Sequence, residues 1–232
     1  MLEVLSMEIE QEIPENTLSR LMALVSPGRR ERIDRLHNKR KAVSMLMGEV
    51  IARKAISKRA GLQNHTLEFS LNQYGKPLLL NTPNLHFNIS HSGNLVVCAL
   101  DNKPVGVDVE IHKSVNSEAA FSRCEHSFLK IARRFFRHDE NEFIVADMGR
   151  SIERFYEIWT MKESYVKWEG RGMSTSFDSF SVLDIMRQDD MFFHSLDVRT
   201  DASCSVCSNT EKINSHVSYD ISDVLLFFES SW

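Results

Sequence analysis

Three carboxylates in two separate segments have the residue types and spacing of a site for a divalent cation. Asp108 and Glu110 lie in segment 106–110 (GVDVE), where apolar and polar residues alternate as in a half-buried strand, so both acids point to one side. Glu163 falls inside the apolar stripe of a predicted helix over residues 151–168. A carboxylate at a packed interface needs compensation, which a cation among the three acids would provide. Oxygen ligands suit Mg²⁺, which takes further ligands from water or a phosphate substrate.

Lys167 lies one helical turn after Glu163 and points the same way. The structural alternative for this pair is a surface ion pair between positions i and i+4, and the alternative for Asp108 and Glu110 is a solvated strand face. We favour a functional role for all four, because the valines between the strand acids form a buried face and Glu163 lies within an apolar stripe.

A second polar cluster occupies residues 87–93 (FNISHSG), where a predicted strand runs into a turn. Ser90 and His91 offer a hydroxyl and an imidazole beside flexible backbone, which suits phosphate binding. The alternative is a turn capped by serine and asparagine. Basic residues concentrate at 29–32 and 39–41, and these runs are either solvated helix faces or groups that neutralise a polyphosphate.

The elements that position these residues form two successive sets of helices followed by strands. The N-terminal third is predicted to be helical, with helical spacing over residues 29–59, and a partly helical stretch over 118–137 precedes the helix at 151–168. The predicted strands span residues 67–71, 85–90, 95–100, 105–111, 177–183, 191–198, 203–208 and 223–228. The sequence therefore predicts two similar α+β halves, residues 1–102 and 103–232.

Composition narrows the functional class. A chain of 232 residues with 42% hydrophobic and 26% charged residues is typical of a soluble globular protein. The net charge of −4 argues against bulk attraction to nucleic acid or to an anionic membrane. The apolar run at 224–228 is too short to span a bilayer, and the N-terminus lacks the pattern of a secretory signal. We therefore expect a cytoplasmic protein that binds neither nucleic acid nor membranes.

The four cysteines do not form a disulfide framework in a chain of this length. Cys204 and Cys207 have the spacing of metal ligands, but no second Cys or His pair at finger spacing accompanies them. We expect ordinary strand cysteines. The alternative is a redox site or a zinc-binding interaction protein.

Taken in order, the motifs resemble the 4'-phosphopantetheinyl transferases of the surfactin-synthetase-activating type. The resemblance runs from about residue 17 to about residue 208, and the ordered set of motifs is highly specific. The matching segments are residues 75–77 (GKP), 87–92 (FNISHS), 106–110 (GVDVE), 133–136 (RRFF), 159–164 (WTMKES) and 177–180 (FDSF). This family is a pseudo-dimer of two α+β halves, which agrees with the two predicted halves, and the resemblance implies an active site between them.

The resemblance implies that the chain transfers the 4'-phosphopantetheine arm of coenzyme A to a serine of an acyl or peptidyl carrier protein. The reaction depends on Mg²⁺ and releases adenosine 3',5'-bisphosphate. By this resemblance Asp108, Glu110 and Glu163 hold Mg²⁺ against the pyrophosphate, and Glu163, Lys167 and His91 are the catalytic residues. Glu163 accepts the serine proton, directly or through a water, while Lys167 stabilises charge at the transferred phosphate.

The resemblance also assigns the coenzyme A contacts. These are Ser90, His91 and Lys167 at the phosphates, Lys76 and Pro77 beside the adenine, and Arg29 and Arg32 near the 3'-phosphate. One departure is Ser44, which stands where the family often has an arginine. Lys41 or Arg40 is the alternative ligand for the 3'-phosphate.

Carrier proteins are generally acidic, so their docking on an acidic enzyme needs local basic or apolar contacts. Segment 133–137 (RRFFR) is a candidate, and the alternative is that its phenylalanines belong to the core. Fatty-acid, polyketide, nonribosomal-peptide and siderophore carriers all fit, and the WTMKES form favours secondary metabolism. Both halves in one chain predict a monomer. Two other functions stay open: a non-catalytic coenzyme A or nucleotide-binding module, and a metal-dependent phosphohydrolase.

Overall fold

The computed structural model describes residues 1–9, 12–113, 118–188 and 190–230, without the side chains of residues 118–122 and 173. Within these residues the helices are α1 (Glu15–Leu24), α2 (Pro27–Asp34), α3 (Lys39–Ala60), α4 (Glu118–Phe135), α5 (His138–Val145), α6 (Ser151–Glu169), α7 (Val182–Ile185) and α8 (Ile221–Ser230). The strands are β1 (Leu2–Glu8), β2 (Phe69–Leu71), β3 (Pro77–Leu79), β4 (His86–Ser92), β5 (Leu95–Asp101), β6 (Val105–Ile111), β7 (Phe192–Ser195), β8 (Ala202–Ser208) and β9 (Ile213–Ser218). Short 3₁₀ turns occupy residues 64–66, 148–150, 172–174 and 177–179.

Two sheets, each covered by one long helix, build the α+β fold. The first sheet has the strand order β4-β5-β1-β9, in which only β9 pairs parallel to its neighbour. The second has the order β6-β8-β7 and is antiparallel throughout. A separate hairpin joins β2 and β3. Helix α3 packs on the first sheet and α6 on the second, which gives the two α+β halves that the sequence predicts.

The long helices begin and end at residues that suit their termini. The Asn38 side chain caps α3 by accepting from the Lys41 backbone N–H, and Gly61 closes the helix with a φ of 66°. Gly170 closes α6 with a φ of 76°. The apolar face of α3, from Leu46 to Ile56, then packs against buried residues of the first sheet.

Several predicted elements differ from the observed ones. The helical spacing at 29–59 corresponds to two helices, because α2 ends at Asp34 and α3 begins at Lys39, after the Asn38 cap. Residues 223–228 form part of helix α8 rather than a strand, with Val224 and Phe228 buried one turn apart. Residues 177–183 form a 3₁₀ turn and the start of α7 rather than a strand. The predicted strands at 85–90, 95–100, 105–111 and 203–208 are confirmed, and shorter strands occur within 67–71 and 191–198.

The prediction that the N-terminal third is helical missed a strand in the middle of the first sheet. Strand β1 pairs with β5 on one side and with β9, a C-terminal strand also absent from the predictions, on the other. Helix α8 packs into the same core as α3. The last described segment of the chain thus returns to the first sheet, and a domain division at residues 102 and 103 stays a prediction. None of the described helices is long and apolar enough to cross a membrane.

Candidate active site

The two sheets meet where the edge strands β4 and β6 run side by side without a backbone ladder. Alternate side chains of β4 point at β6 and accept its backbone N–H groups, which would otherwise be unpaired. The three bonds are Val107 N to Asn88 Oδ1 (2.9 Å), Val109 N to Ser90 Oγ (3.4 Å) and Ile111 N to Ser92 Oγ (3.1 Å). This seam between the halves carries most of the predicted site residues.

Asp108 lies at the centre of the seam and is 4% exposed. Its Oδ1 accepts from Ser90 Oγ at 2.9 Å and from Lys167 Nζ at 2.5 Å. Lys167 Nζ also lies 3.0 Å from Ser90 Oγ, so the three side chains form a closed triangle. Asp108 Oδ2 is buried and has no hydrogen-bond partner among the residues that the structure describes. A buried carboxylate oxygen without a partner is costly, so this atom is open to a further positive charge.

Glu110 and Glu163 flank this triangle. Ser92 Oγ donates to Glu110 Oε2 at 2.9 Å, which continues the pattern set by Ser90 and Asp108. Burial, and next the negative charge of Asp108, raise the pKa of both glutamates, while Lys167 opposes the rise. The site therefore gathers more negative charge than its lysine balances.

The chemistry of these oxygens fits a hard divalent cation, and the unpartnered Asp108 Oδ2 is the atom that most needs one. Within the described part of the chain, however, no group of three or more His, Cys, Asp or Glu side chains is already arranged to hold a metal ion. Besides burial, the charges of the predicted ligands Asp108 and Glu110 both raise the pKa of the third, Glu163. Lys167 Nζ contacts Asp108 Oδ1.

Helix α6 reaches the seam because β6 carries a glycine. A Cβ atom on Gly106 would lie 2.0 Å from the carbonyl oxygen of Ser164 and 2.3 Å from the backbone N of Trp168. Only a residue without a side chain permits this backbone-to-backbone packing. The close approach places Glu163 and Lys167, one turn apart on α6, against the strand that carries the other acids.

Lys76 and Pro77 lie in the hairpin between β2 and β3. The Lys76 ammonium does not face an open pocket, because it donates to three carbonyl oxygens: Val105 O (3.1 Å), Lys167 O (2.5 Å) and Trp168 O (3.2 Å). Burial lowers the pKa of Lys76 to about 8. Pro77, the first residue of β3, is half-buried.

The remaining predicted residues lie around α2, α3 and the end of β4. Arg29 pairs with Glu49 of α3, whereas Arg32 is exposed on α2. Ser44 is buried, and its single hydroxyl proton is shared between the carbonyl oxygens of Arg40 and Gly93, both at 3.0 Å, so its hydroxyl joins α3 to the turn after β4. These contacts leave Arg29 and Ser44 engaged with the protein rather than with the central triangle.

His91 follows Ser90 on β4 and is half-buried. Burial lowers the pKa of His91, and the nearby charges of Lys167 and Lys41 act in the same direction. His91 therefore lies beside the ammonium groups of Lys167 and Lys41, and its contact with a phosphate stays a prediction.

Two residues of the site were quoted in the sequence motif but not predicted to act. Asn88 and Ser92 hold the backbone of β6, and Ser92 also contacts Glu110. The signal was present in the alternation of small polar residues at 88, 90 and 92, which places all three on one side of a strand.

Cys204 and Cys207 are ordinary buried strand residues, as expected. They lie three positions apart on β8 and pack in two different hydrophobic clusters on its opposite faces. Burial raises the pKa of both thiols. A shared metal at this pair is incompatible with that arrangement.

Comparison with known proteins agrees with the α+β fold. A family model described as "4'-phosphopantetheinyl transferase, N-terminal" matches residues 13–103, and "4'-phosphopantetheinyl transferase superfamily" matches residues 104–221. The chain belongs to this superfamily.

Its sequence is 40% identical over 164 residues to the 4'-phosphopantetheinyl transferase Sfp of Bacillus subtilis, and the matched region covers 70% of this chain and 68% of that protein. It is 34% identical over 181 residues to the 4'-phosphopantetheinyl transferase gsp of Aneurinibacillus migulanus, covering 78% and 70%. The protein is an enzyme of the Sfp type.

Proposed function

We propose that this enzyme transfers the 4'-phosphopantetheine arm of coenzyme A to a serine hydroxyl of an apo acyl or peptidyl carrier protein. The observation that carries the proposal is the triangle of Ser90, Asp108 and Lys167 at the seam, flanked by two acids of raised pKa. The Lys167 ammonium and the Ser90 hydroxyl would bind phosphate oxygens. The carboxylates beside them would bind a cation and accept a proton.

The transfer forms one P–O bond and breaks another. The carrier serine oxygen attacks the phosphorus that bears the pantetheine arm, and the pyrophosphate bond to the adenosine half breaks, which releases adenosine 3',5'-bisphosphate. A neutral hydroxyl is a poor nucleophile, so Glu163 accepts its proton directly or through a water. A carboxylate with a raised pKa holds such a proton better than an ordinary glutamate does.

Asp108, Glu110 and Glu163 would hold Mg²⁺, which supplies charge neutralisation at the pyrophosphate when bound. Lys167 would contact the transferred phosphate, because its side chain is 27% exposed and its ammonium already lies beside Asp108 Oδ1. Ser90 and His91 provide a hydroxyl and an imidazole next to it on β4. Positioning and charge neutralisation account for most of the catalysis in reactions of this kind.

The adenosine half of coenzyme A would lie along the first half of the chain. Pro77 and the backbone of Lys76 border the adenine, and Arg29 and Arg32 face the 3'-phosphate. For Arg29 this requires that a phosphate compete with Glu49. Lys41 is an exposed cation near His91 and is the alternative to the missing arginine at Ser44.

The carrier protein would dock beside the end of helix α4. Phe136 is 5% exposed and belongs to the core, whereas Phe135 is 39% exposed. The Arg134 guanidinium stacks over the Phe135 ring at 5.1 Å, with Arg133 and Arg137 exposed around it. An exposed aromatic ring with three arginines suits the acidic surface of a carrier. We further propose a cytoplasmic monomer that serves nonribosomal-peptide or polyketide carriers, without nucleic-acid or membrane binding.

The direct test is intact-mass spectrometry of an apo peptidyl carrier protein incubated with this enzyme, coenzyme A and Mg²⁺. We expect a gain of one phosphopantetheine group that EDTA abolishes. Glu163→Gln should leave a folded protein with almost no transfer. The matched control is Glu157→Gln, since Glu157 also lies on α6 with a pKa raised by burial but faces Arg150 and Glu153 instead of the site. Full transfer by Glu163→Gln would contradict the assigned role.

Two further measurements, coenzyme A binding and nucleotide release without a carrier, separate the alternative functions. Coenzyme A binding without modification of any acyl or peptidyl carrier would indicate a binding module. Release of adenosine 3',5'-bisphosphate in the absence of a carrier would indicate a phosphohydrolase.

A further inference from the structure

Lys76 joins the two segments that carry the candidate active site. It belongs to the β2–β3 hairpin of the first half, yet within the described residues its ammonium is bonded only to carbonyl oxygens of the second half. One acceptor, Val105 O, begins strand β6, which bears Asp108 and Glu110. The other two acceptors are the carbonyl oxygens of Lys167 and Trp168, in the last turn of α6. Helix α6 also bears Glu163.

The contact is a helix cap made by a distant side chain. The last carbonyl groups of a helix lack intrahelical partners and carry partial negative charge, so an ammonium there is stabilising. Lys76 keeps its charge in a largely buried place where carbonyl dipoles, rather than a carboxylate, are its hydrogen-bond partners. The cost of that burial appears as the lowered pKa of Lys76, about 8.

The hairpin turn around Lys76 is built to present this side chain. Asn72 Oδ1 accepts from the backbone N–H groups of Tyr74 and Lys76, both at 2.9 Å, which fixes the turn. Asn72 Nδ2 donates to Gly170 O at 2.8 Å, so a second side chain of the same turn caps the end of α6. Two independent contacts therefore hold one helix end.

We propose that Lys76 is a positioning residue: it fixes the last turn of α6 against β6 so that Lys167 reaches the Asp108 carboxylate. Its ammonium is then committed to protein carbonyls and is not a ligand of coenzyme A. The inference rests on the proposed roles of Glu163 and Lys167 in the transfer. Displacement of a catalytic group by about 1 Å can cost about 100-fold in rate, so loss of this contact should appear in kcat.

The test compares Lys76→Met, which keeps the length of the chain but removes the charge and donors, with Lys103→Met. Lys103 is the matched control, because its Nζ donates to the carbonyl oxygen of Asn209 at 3.0 Å on an exposed surface away from α6. We expect Lys76→Met to lower kcat by about 10- to 100-fold while the Kd for coenzyme A changes by less than about twofold. Lys76→Arg should recover part of the lost kcat.

Two outcomes would overturn the proposal. A raised Kd for coenzyme A with normal kcat at saturation would make Lys76 a substrate ligand. A lowered melting temperature with normal kcat in the folded variant would make it a residue for stability alone. If Lys76→Met does not fold, Asn72→Ala is the second variant, because it leaves the lysine in place. It should lower kcat less than Lys76→Met does and also leave the Kd for coenzyme A nearly unchanged.

A measurement without substrates keeps this inference separate from the proposed function. Hydrogen exchange of the peptide spanning residues 163–170 should be faster in Lys76→Met than in the wild type or in Lys103→Met, because the last turn of α6 loses its cap. Unchanged exchange there would refute the positioning role even if transfer fails for another reason. If exchange is faster in Lys76→Met but the wild type transfers nothing to any carrier, the capping role of Lys76 is supported and the proposed function is refuted.

Discussion

The buried ion pair between Glu140 and Lys162 gives the sharpest prediction for stability. Both side chains are 0% exposed, and Lys162 Nζ lies 2.8 Å from Glu140 Oε2. Lys162 also donates to the carbonyl oxygens of Phe177 and Phe180, each at 2.7 Å. Glu140 in turn accepts from the Val182 N–H at 2.8 Å. The pair thus ties α5, α6 and the segment before α7 into one unit.

Glu140→Gln keeps the shape of the side chain and removes its charge, which leaves the Lys162 ammonium buried without its hydrogen-bonded carboxylate. Removal of one partner of a buried pair costs about 3–5 kcal/mol in the free energy of unfolding. For a chain of this size each kcal/mol corresponds to about 2–4 °C, so the melting temperature should fall by about 6–20 °C. The exposed pair Arg150–Glu153 is the control, and Glu153→Gln should cost less than about 1 kcal/mol.

The pH dependence of this variant has a definite sign. Burial already holds the pKa of Lys162 below its ordinary value of 10.5, and Glu140 opposes that shift, so its removal lowers the pKa further. The unfolded state then binds more protons than the folded state, and stability rises with pH. Thermal unfolding of both proteins at pH 7 and about pH 9.5 should show the deficit of Glu140→Gln narrowing.

Removal of both charges supplies a further check, because Glu140→Leu combined with Lys162→Met leaves no buried ion and should recover most of the loss. A deficit for Glu140→Gln below about 1 kcal/mol at pH 7, or one that widens with pH, would refute the reasoning.

Two further predictions concern the contact between β6 and α6. Gly106→Ala should lower the free energy of unfolding by at least about 2 kcal/mol and abolish transfer, because its Cβ would meet backbone atoms of α6. Gly149→Ala is the control, since its Cβ would approach only an Asp147 side-chain oxygen at 3.4 Å. This control should change neither the melting temperature nor the activity. In EDTA, Glu163→Gln should melt at a higher temperature than the wild type, and this gain should be larger at pH 7 than at pH 5. The reason is that ionising a carboxyl whose folded pKa is raised destabilises the folded wild type as the pH rises. Mg²⁺ should then stabilise the wild type more than this variant, and an equal response would contradict a role for Glu163 in cation binding.

The sequence predicts the acidic strand and the helix that carries Glu163 because their patterns are local. Alternation in 106–110 and the apolar stripe around Glu163 each require only one element, and both elements are observed. Short apolar runs carry less information. Residues 223–228 are consistent with a strand or a helix by composition, and their packing against α3 decides for the helix.

Contacts that depend on the backbone of a distant element leave no such pattern. Strand β9 (INSHVS) is mostly exposed and has little apolar alternation, so its pairing with β1 is not visible in the sequence. The acceptors of Lys76 are carbonyl groups, which every residue possesses, and no residue type marks them. The resemblance places Lys76 near the adenine, and only the three-dimensional structure shows where its ammonium points.

The seam between the sheets explains how one set of hydroxyls serves both the fold and the site. A backbone ladder between β4 and β6 would satisfy the β6 N–H groups directly and bring the strands to about 4.8 Å. Here side chains of β4 fill that role, so the strands stay apart and Ser90 and Ser92 reach both the backbone and the carboxylates of β6. Closing the seam with a ladder would remove the hydroxyls that orient Asp108 and Glu110. The unpaired edge of each sheet is therefore what makes room for the acids at the junction of the two halves.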